Sequence, residues 1–260
     1  MLACDISDSK GPGGGSFRLK KCGRGVLQLS GKNTYSGQTV LEEGTLCVSS
    51  LNSVGTGSRP VSSLGAPKDV EMGELLLGTE GRDAECVLAY TGTGETTDRV
   101  LNLVGKKMTI TLDHSGSGLL KFTSPLLISG YGASKTLVVK TDAKAAGECA
   151  GAIANPHDRA GKAMTGITKT GLGPWTLSGV NTYTGPTVVK QGSLIVTQPT
   201  AISAGSELSI AAGASVELKF KGQKTIRKLI LDGQVQQPGL YDAARVVGMI
   251  KGPGALKVQP

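Results

Sequence analysis

Apolar and polar residues alternate along this chain in short stretches, never in long ones. Leu27 and Leu29 alternate with polar neighbours, as do Leu46 and Val48. A period of two places successive side chains on opposite faces of an extended backbone, so each stretch predicts a short strand with one buried face. Gly31, Gly37 and Gly44 punctuate the stretches. Residues 118–122, 126–130, 137–139, 206–210, 216–220 and 252–258 carry weaker versions of the same pattern. No stretch predicts a helix longer than a turn or two. The best candidate, 143–152, contains two internal glycines, which oppose helix formation.

The pattern repeats. Residues 19–48 and 167–196 align without a gap at an offset of 148, with fifteen of thirty positions identical. The identities include Gly23 and Gly171, Leu29-Ser30-Gly31 and Leu177-Ser178-Gly179, and Asn33-Thr34-Tyr35 and Asn181-Thr182-Tyr183. Self-similarity of this kind is the mark of stacked repeats. The units predict about ten coils of roughly 20–25 residues, within the range of known repeat lengths. Leu29 and Leu177 then point inward at matching places. Trp175 takes the position of Leu27 and is expected in the core. Tyr35 and Tyr183 recur with the unit and are expected to pack beside the turn. Asn33 and Asn181 sit in that turn, where an amide can bond its own backbone and a neighbouring coil.

Composition agrees. Glycine makes up 39 of 260 residues and aromatics only 3%. Such a chain builds its interior from small aliphatic side chains and turns often. The net charge is +8, with one dense basic run at Lys219, Lys221, Lys224, Arg227 and Lys228. Lys219 and Lys221 flank Phe220, which predicts a strand with its charged face in water. No aromatics interleave with the lysines, so nucleic-acid binding is not expected. No apolar run is long enough to span a bilayer, and Met1 to Asp5 lack the basic and apolar regions of a signal peptide. The expectation is a piece, residues 1–260 forming one solenoid domain, excised from a larger secreted protein. The five cysteines (Cys4, Cys22, Cys47, Cys86, Cys149) are odd in number and widely spaced. They predict free, partly buried thiols, with a Cys86–Cys149 bridge between stacked coils as the alternative.

The run Gly-x-Gly-x-x-x-Leu-Ser-Gly-x-Asn-Thr-Tyr-x-Gly-x-Thr-Val, closed by Gly-x-Leu-x-Val, resembles the autotransporter-associated β-strand repeat of bacterial passenger domains. The two good copies cover about 60 residues. Residues 90–99 and 238–241 resemble segments that accompany such repeats. The resemblance implies an extracytoplasmic or bacterial cell-surface location, an all-β fold of right-handed parallel β-helix type, and no enzyme activity. These 260 residues are expected to depart from a full autotransporter in that they include no membrane-barrel segment after the repeats.

Catalytic patterns of polysaccharide-degrading β-helices are missing. Asn-Thr is followed by Tyr35 or Tyr183 and not by Asp; there is no Asp-Asp pair and no Gly-His-Gly. Aspartates such as Asp69, Asp83, Asp98, Asp113 and Asp142 are isolated from one another, unlike the stacked carboxylates a calcium site needs. The two histidines, His114 and His157, each adjoin an aspartate, and strand neighbours face opposite ways. No catalytic residue, cofactor or metal is expected.

Two readings follow. The first is a non-catalytic carbohydrate-binding module for a plant cell-wall polysaccharide such as xylan, tethered to a catalytic domain in its parent chain. Tyr90, Tyr131 and Tyr241, which lie outside the two best copies, are then the candidate sugar-stacking residues. The alternative is a structural passenger or adhesin segment of a secreted or surface bacterial protein, without sugar binding. At the two ends, the Gly-Pro-rich start and the Gln259-Pro260 terminus are the candidate caps for exposed edges.

Overall fold

A computed structural model describes residues 5–9, 15–54, 61–203 and 205–260. The alternating stretches become strands, and the strands stack in parallel. The long sheet has ten strands in the order Val26–Leu29, Gly44–Val48, Ala84–Tyr90, Met108–His114, Lys135–Thr141, Thr165–Thr170, Thr187–Val189, Glu207–Ile210, Lys228–Leu231 and Gln234–Val235. All are parallel except the last, which pairs antiparallel. A second sheet of seven strands runs from Glu95–Thr97 to Ile250–Lys251, and a third of four runs from Leu19–Lys21 to Leu101–Leu103. The chain visits one sheet after another and returns a level higher, as expected for a parallel β-helix. The one helical turn among the described residues is the 3₁₀ turn Pro199–Ala201. Residues 143–152 contain the strand Ala145–Cys149 instead of a helix.

Inward rows make the core. Leu27, Leu46, Leu88, Leu112 and Val139 lie in register along the long sheet. Leu29 registers with Val48, and Leu177 with Val196, and all four are buried. Trp175 has no exposed surface and stacks in register with Leu194 and Val216. Tyr35 and Tyr183 are buried, each sharing a 2.7 Å hydrogen bond with the hydroxyl four residues on, Thr39 and Thr187.

Coil length is less regular than the repeat predicts. Val26 and Thr45 pair at a separation of 19 residues, and Thr187 and Leu208 at 21. Between them, Gly44 pairs with Cys86 at 42, and Lys135 with Thr165 at 30. These longer coils carry strands on a further face, and the repeat moves round by one side. The first copy's strands Leu19–Lys21 and Val26–Leu29 belong to the third and long sheets. Their equivalents in the second copy, Thr165–Thr170 and Pro174–Leu177, belong to the long and second sheets. The repeat is therefore a corner module, used here on two different pairs of adjacent faces.

The module is longer than the matching sequence. Ile6 N donates to Asn33 Oδ1 at 2.8 Å, and Ile153 N donates to Asn181 Oδ1 at 2.8 Å. Asp8 Oδ1 accepts from the amides of Ser36 and Phe17, as Asn155 Oδ1 accepts from those of Thr184 and Thr165. Residues 6–8 thus play the part of 153–155, at an offset of 147.

The C-terminal end is closed by antiparallel strands, Gln234–Val235 on Lys228–Leu231 and Gly239–Tyr241 on Gly254–Val258. The expected cap at Gln259-Pro260 adds only a 3.5 Å bond from Gln259 N to Ile226 O. The glycines of the expected N-terminal cap at 11–14, and Cys4, lie outside the described residues. Lys219 and Lys221 are exposed beside buried Phe220, in the connection between Ser215–Leu218 and Gly222–Ile226 and not on a strand.

Candidate functional surface

Neither histidine stands at an acid–base centre. His114 is fully buried in the long sheet's inward row, its Nε2 3.1 Å from Gly118 O and its ring edge-on to Tyr90. His157 is exposed in a loop. The aspartates hold backbone. Asp158 accepts from the amides of Ala160, Lys162 and Ala163, which together hold its carboxyl below the usual range. Asp98 accepts from Val54 N at 2.6 Å. Among the described residues no three His, Cys, Asp or Glu side chains converge as a metal site would require. Cys22, Cys47, Cys86 and Cys149 are free, so the alternative Cys86–Cys149 bridge is absent; Cys86 lies in the long sheet and Cys149 in the second. Burial pushes their thiols up to about 11 and about 12, which keeps them protonated.

The three candidate tyrosines do not form a platform. Tyr90 is 2% exposed, because it registers between Val48 and His114 in an inward row. Tyr241 is 3% exposed; its hydroxyl donates to Gln237 O at 2.8 Å and the Arg245 guanidinium lies 4.0 Å from its ring centroid. Tyr131, 66% exposed, alone among the three offers an open ring.

Of the polar residues shared by the two copies, the asparagines, the lysines and the threonines Thr39 and Thr187 are internal, whereas Ser30, Thr34 and Thr182 are exposed. Lys21 and Lys169 are identical across the copies and both are buried, pointing into the corner between strands. Lys21 Nζ donates to the carbonyls of Cys22, Gly23 and Glu43, and Lys169 Nζ to the equivalent carbonyls of Thr170, Gly171 and Gln191 at 2.6, 2.7 and 3.2 Å. Lys135 does the same for Gly105 and Lys106. Burial lowers the Lys169 ammonium to about 8. Arg99, also buried, donates to the carbonyls of Leu51, Gly73 and Leu64 and to the hydroxyl of Ser62. Glu95 accepts from the amides of Leu51 and Asn52 at 2.6 and 2.9 Å. Together they bind 49–54 and 61–74, the described parts of the longest coil's excursion, to the solenoid wall.

What remains for contact with other molecules is the outer faces, and these differ in kind. The second sheet's central outward row reads Thr96, Lys121, Glu148, Thr176, Ile195, Glu217 and Lys251, with charges at four of seven positions. The long sheet's central outward row reads Val26, Thr45, Val87, Thr111, Val138, Thr168, Val188, Ser209 and Ile230, with none at all. A methyl-bearing and a hydroxyl-bearing residue alternate over its first eight positions. Eight strand steps of about 4.8 Å give this row a length of ~38 Å. Each member is half-buried by its neighbours except the terminal Val26, which is 72% exposed. An open trough of 640 Å³, lined in part by Arg24, Glu43, Glu85 and Lys107, flanks its N-terminal third.

Comparison with known proteins bears on the repeat. A family model described as passenger-associated-transport-repeat matches residues 19–48 and 167–196. The chain is 31% identical over 221 residues to the adhesin BmaC autotransporter of Brucella suis biovar 1 (strain 1330). That alignment covers 85% of this chain and 5% of the relative. No solved structure matches significantly.

Proposed function

From the premise that this chain is a parallel β-helix carrying two passenger-associated transport repeats, we propose that it is a non-catalytic segment of a bacterial surface or secreted passenger, and that it serves adhesion. The observation that carries this reading is the repeat itself. Among its preserved residues, Asn33, Asn181, Lys21 and Lys169 are buried and bond one coil to the next, and buried Tyr35 and Tyr183 brace their own corner against Thr39 and Thr187. Such a module builds length and stiffness, and leaves its outer faces free to vary. The related adhesin supports the surface setting. The passenger reading takes precedence over a module tethered to a plant-polysaccharide hydrolase, because two of the three tyrosines proposed to stack on sugar are inside the solenoid.

The test is surface display. Antibodies raised against the folded chain should stain unpermeabilised cells of the source bacterium, and protease shaving should remove the signal. Beads coated with the folded chain should adhere to cultured animal cells above beads coated with heat-unfolded protein. Staining that requires permeabilisation would overturn the location, and equal adhesion by folded and unfolded coats would overturn the adhesive role. Xylan, pectin or β-glucan incubated with the protein should release no new reducing ends.

A further inference from the structure

Among the described residues, the long sheet's central outward row runs uncharged over nine strands, and that neutrality is not required by the fold. The second sheet stacks through the same coils with charges in the equivalent row. Charged residues do flank the long row, but three sets of them are tied to each other. Arg24 pairs with Glu43 at 2.9 Å, Asp113 with Lys140 at 2.8 Å, and Glu207 with Lys228 at 3.3 Å. Each pair stands two residues from its row members, on one side or the other. Glu85, Lys190 and Asp232 are also exposed two residues from row members and form no ion pair among the described residues, so the lane itself is neutral while its edges carry both paired and open charges.

We propose that this lane is a binding site for a single extended chain of a neutral polysaccharide, lying along the solenoid axis and across the strands. This rests on the adhesive passenger reading and names its ligand. Three features select the occupant. First, the lane is one residue row wide and ~38 Å long, at about 4.8 Å per strand. A strip of that shape is far below the roughly 800 Å² per partner of a stable protein–protein interface, which argues against a second copy of this chain. Second, the ladder already uses the strands' backbone amides and carbonyls. An extended peptide crossing them would find hydroxyls but no backbone partners for its own amides. Third, Thr45, Thr111 and Thr168 alternate with Val87, Val138 and Val188. A pyranose ring likewise has hydroxyls at its rim and C–H groups on its faces. Thr Oγ can donate and accept, and the intervening methyls cover the apolar faces. With no charge in the lane, a polyanion gains nothing there.

Affinity electrophoresis of the purified chain through gels containing neutral xylan, mixed-linkage β-glucan or mannan tests this. At least one gel should retard the wild type, equally at low and high salt. Thr111→Lys and Thr168→Lys should each weaken that retardation at least about tenfold, a loss well above the scatter of the method. Thr176→Lys, on the second sheet's outward row, should leave it unchanged. All three variants should keep the wild-type circular dichroism and melting midpoint, so that a loss reports the lane. No retardation by any gel would overturn the proposal, as would full retardation of the two lane variants. Retardation that fades with salt would place binding on the lysines instead. Capture on immobilised gelatin that the lane substitutions abolish, without glycan retardation, would assign the lane to a polypeptide and overturn the glycan. None of these outcomes touches surface staining, so the passenger reading stands or falls separately.

Discussion

Gly147 lies in register beneath Trp175, and the indole occupies the space where a side chain at 147 would stand. A methyl there would collide with the six-membered ring of Trp175. The backbone at Gly147 is not in the left-handed region, so the requirement is room and not conformation. Gly147→Ala should therefore destabilise by about 1–3 kcal/mol through overpacking. Trp175→Leu removes the obstacle, and the double variant should cost less than the two single changes added together. Urea midpoints of the four proteins measure the coupling; strict additivity would mean the ring moves aside at no cost.

Lys169 should make the protein's stability depend on pH in an unusual direction. Its folded-state ammonium sits at about 8, below the ordinary lysine value of 10.5, because burial disfavours the charge. Between those two values the unfolded chain holds more protons than the folded one, so this group makes stability rise with pH, by up to about 1.4 kcal/mol per pH unit. Below about 8 it is charged in both states and adds no slope. Buried Cys149 acts oppositely, since its raised pKa makes stability fall above its unfolded value. The comparison that isolates the lysine is wild type against Lys169→Met. The variant should be less stable at pH 7 by about 2–3 kcal/mol, because the carbonyls of Thr170, Gly171 and Gln191 lose their donor. The gap should widen between pH 8 and 10. A gap that stays constant would show that Lys169 titrates normally.

Arg99 is predicted to control one excursion and not the whole solenoid. Its guanidinium reaches Leu51, Ser62, Leu64 and Gly73, four points on the described stretches 49–54 and 61–74. Arg99→Met should release these stretches while leaving the stacked strands in place. Limited proteolysis should then cut within them at least about tenfold faster, as expected for local opening that loses ~1.4 kcal/mol or more. Circular dichroism should remain that of the wild type. Cleavage spread along the chain would instead mark Arg99 as part of the global core.

Much of this architecture is legible in the sequence, for a physical reason. Alternation reports burial directly, so Leu29, Leu177 and Trp175 can be assigned inward from pattern alone. Lys21 and Lys169 defeat the same reasoning. A lysine at an inward position reads as an interruption, and only the coordinates show its ammonium among corner carbonyls, although its identity in both copies was available as a signal. The start of the repeat is hidden by a one-residue change of offset and by the exchange of Asp8 for Asn155, whose side-chain oxygens do the same work. Tyr90 reads as a candidate for sugar stacking because it lies outside the good copies, yet its buried place between Val48 and His114 depends on register, which sequence does not supply. The long sheet's outward row is invisible for the same reason: its nine residues come from nine different coils.

The equivalence of Asn33 and Asn181 leads to a last prediction, in which one substitution has two outcomes. Each amide spans two neighbouring segments. Asn181 accepts from Ile153 N and donates to Ala201 O, and Asn33 accepts from Ile6 N and donates to Ser63 O. Both are buried, so replacing either with Ala leaves a donor and an acceptor unpaired, at about 1–3 kcal/mol. In a solenoid each unit contacts only its neighbours, so position along the stack decides how far that loss spreads. Asn181 has stacked strands on both sides, and Asn181→Ala should lower the global denaturation midpoint. Asn33 holds the described segment 5–9, which runs beside the first coil. Asn33→Ala should mainly free that segment, with faster hydrogen exchange at Thr34 and Tyr35, whose amides donate to Ile6 O. Exchange at Thr182 and Tyr183, which donate to Ile153 O, should stay slow in that variant. Equal global destabilisation by the two substitutions would show that the solenoid unfolds as one cooperative block and that the end coil is as firmly held as the middle.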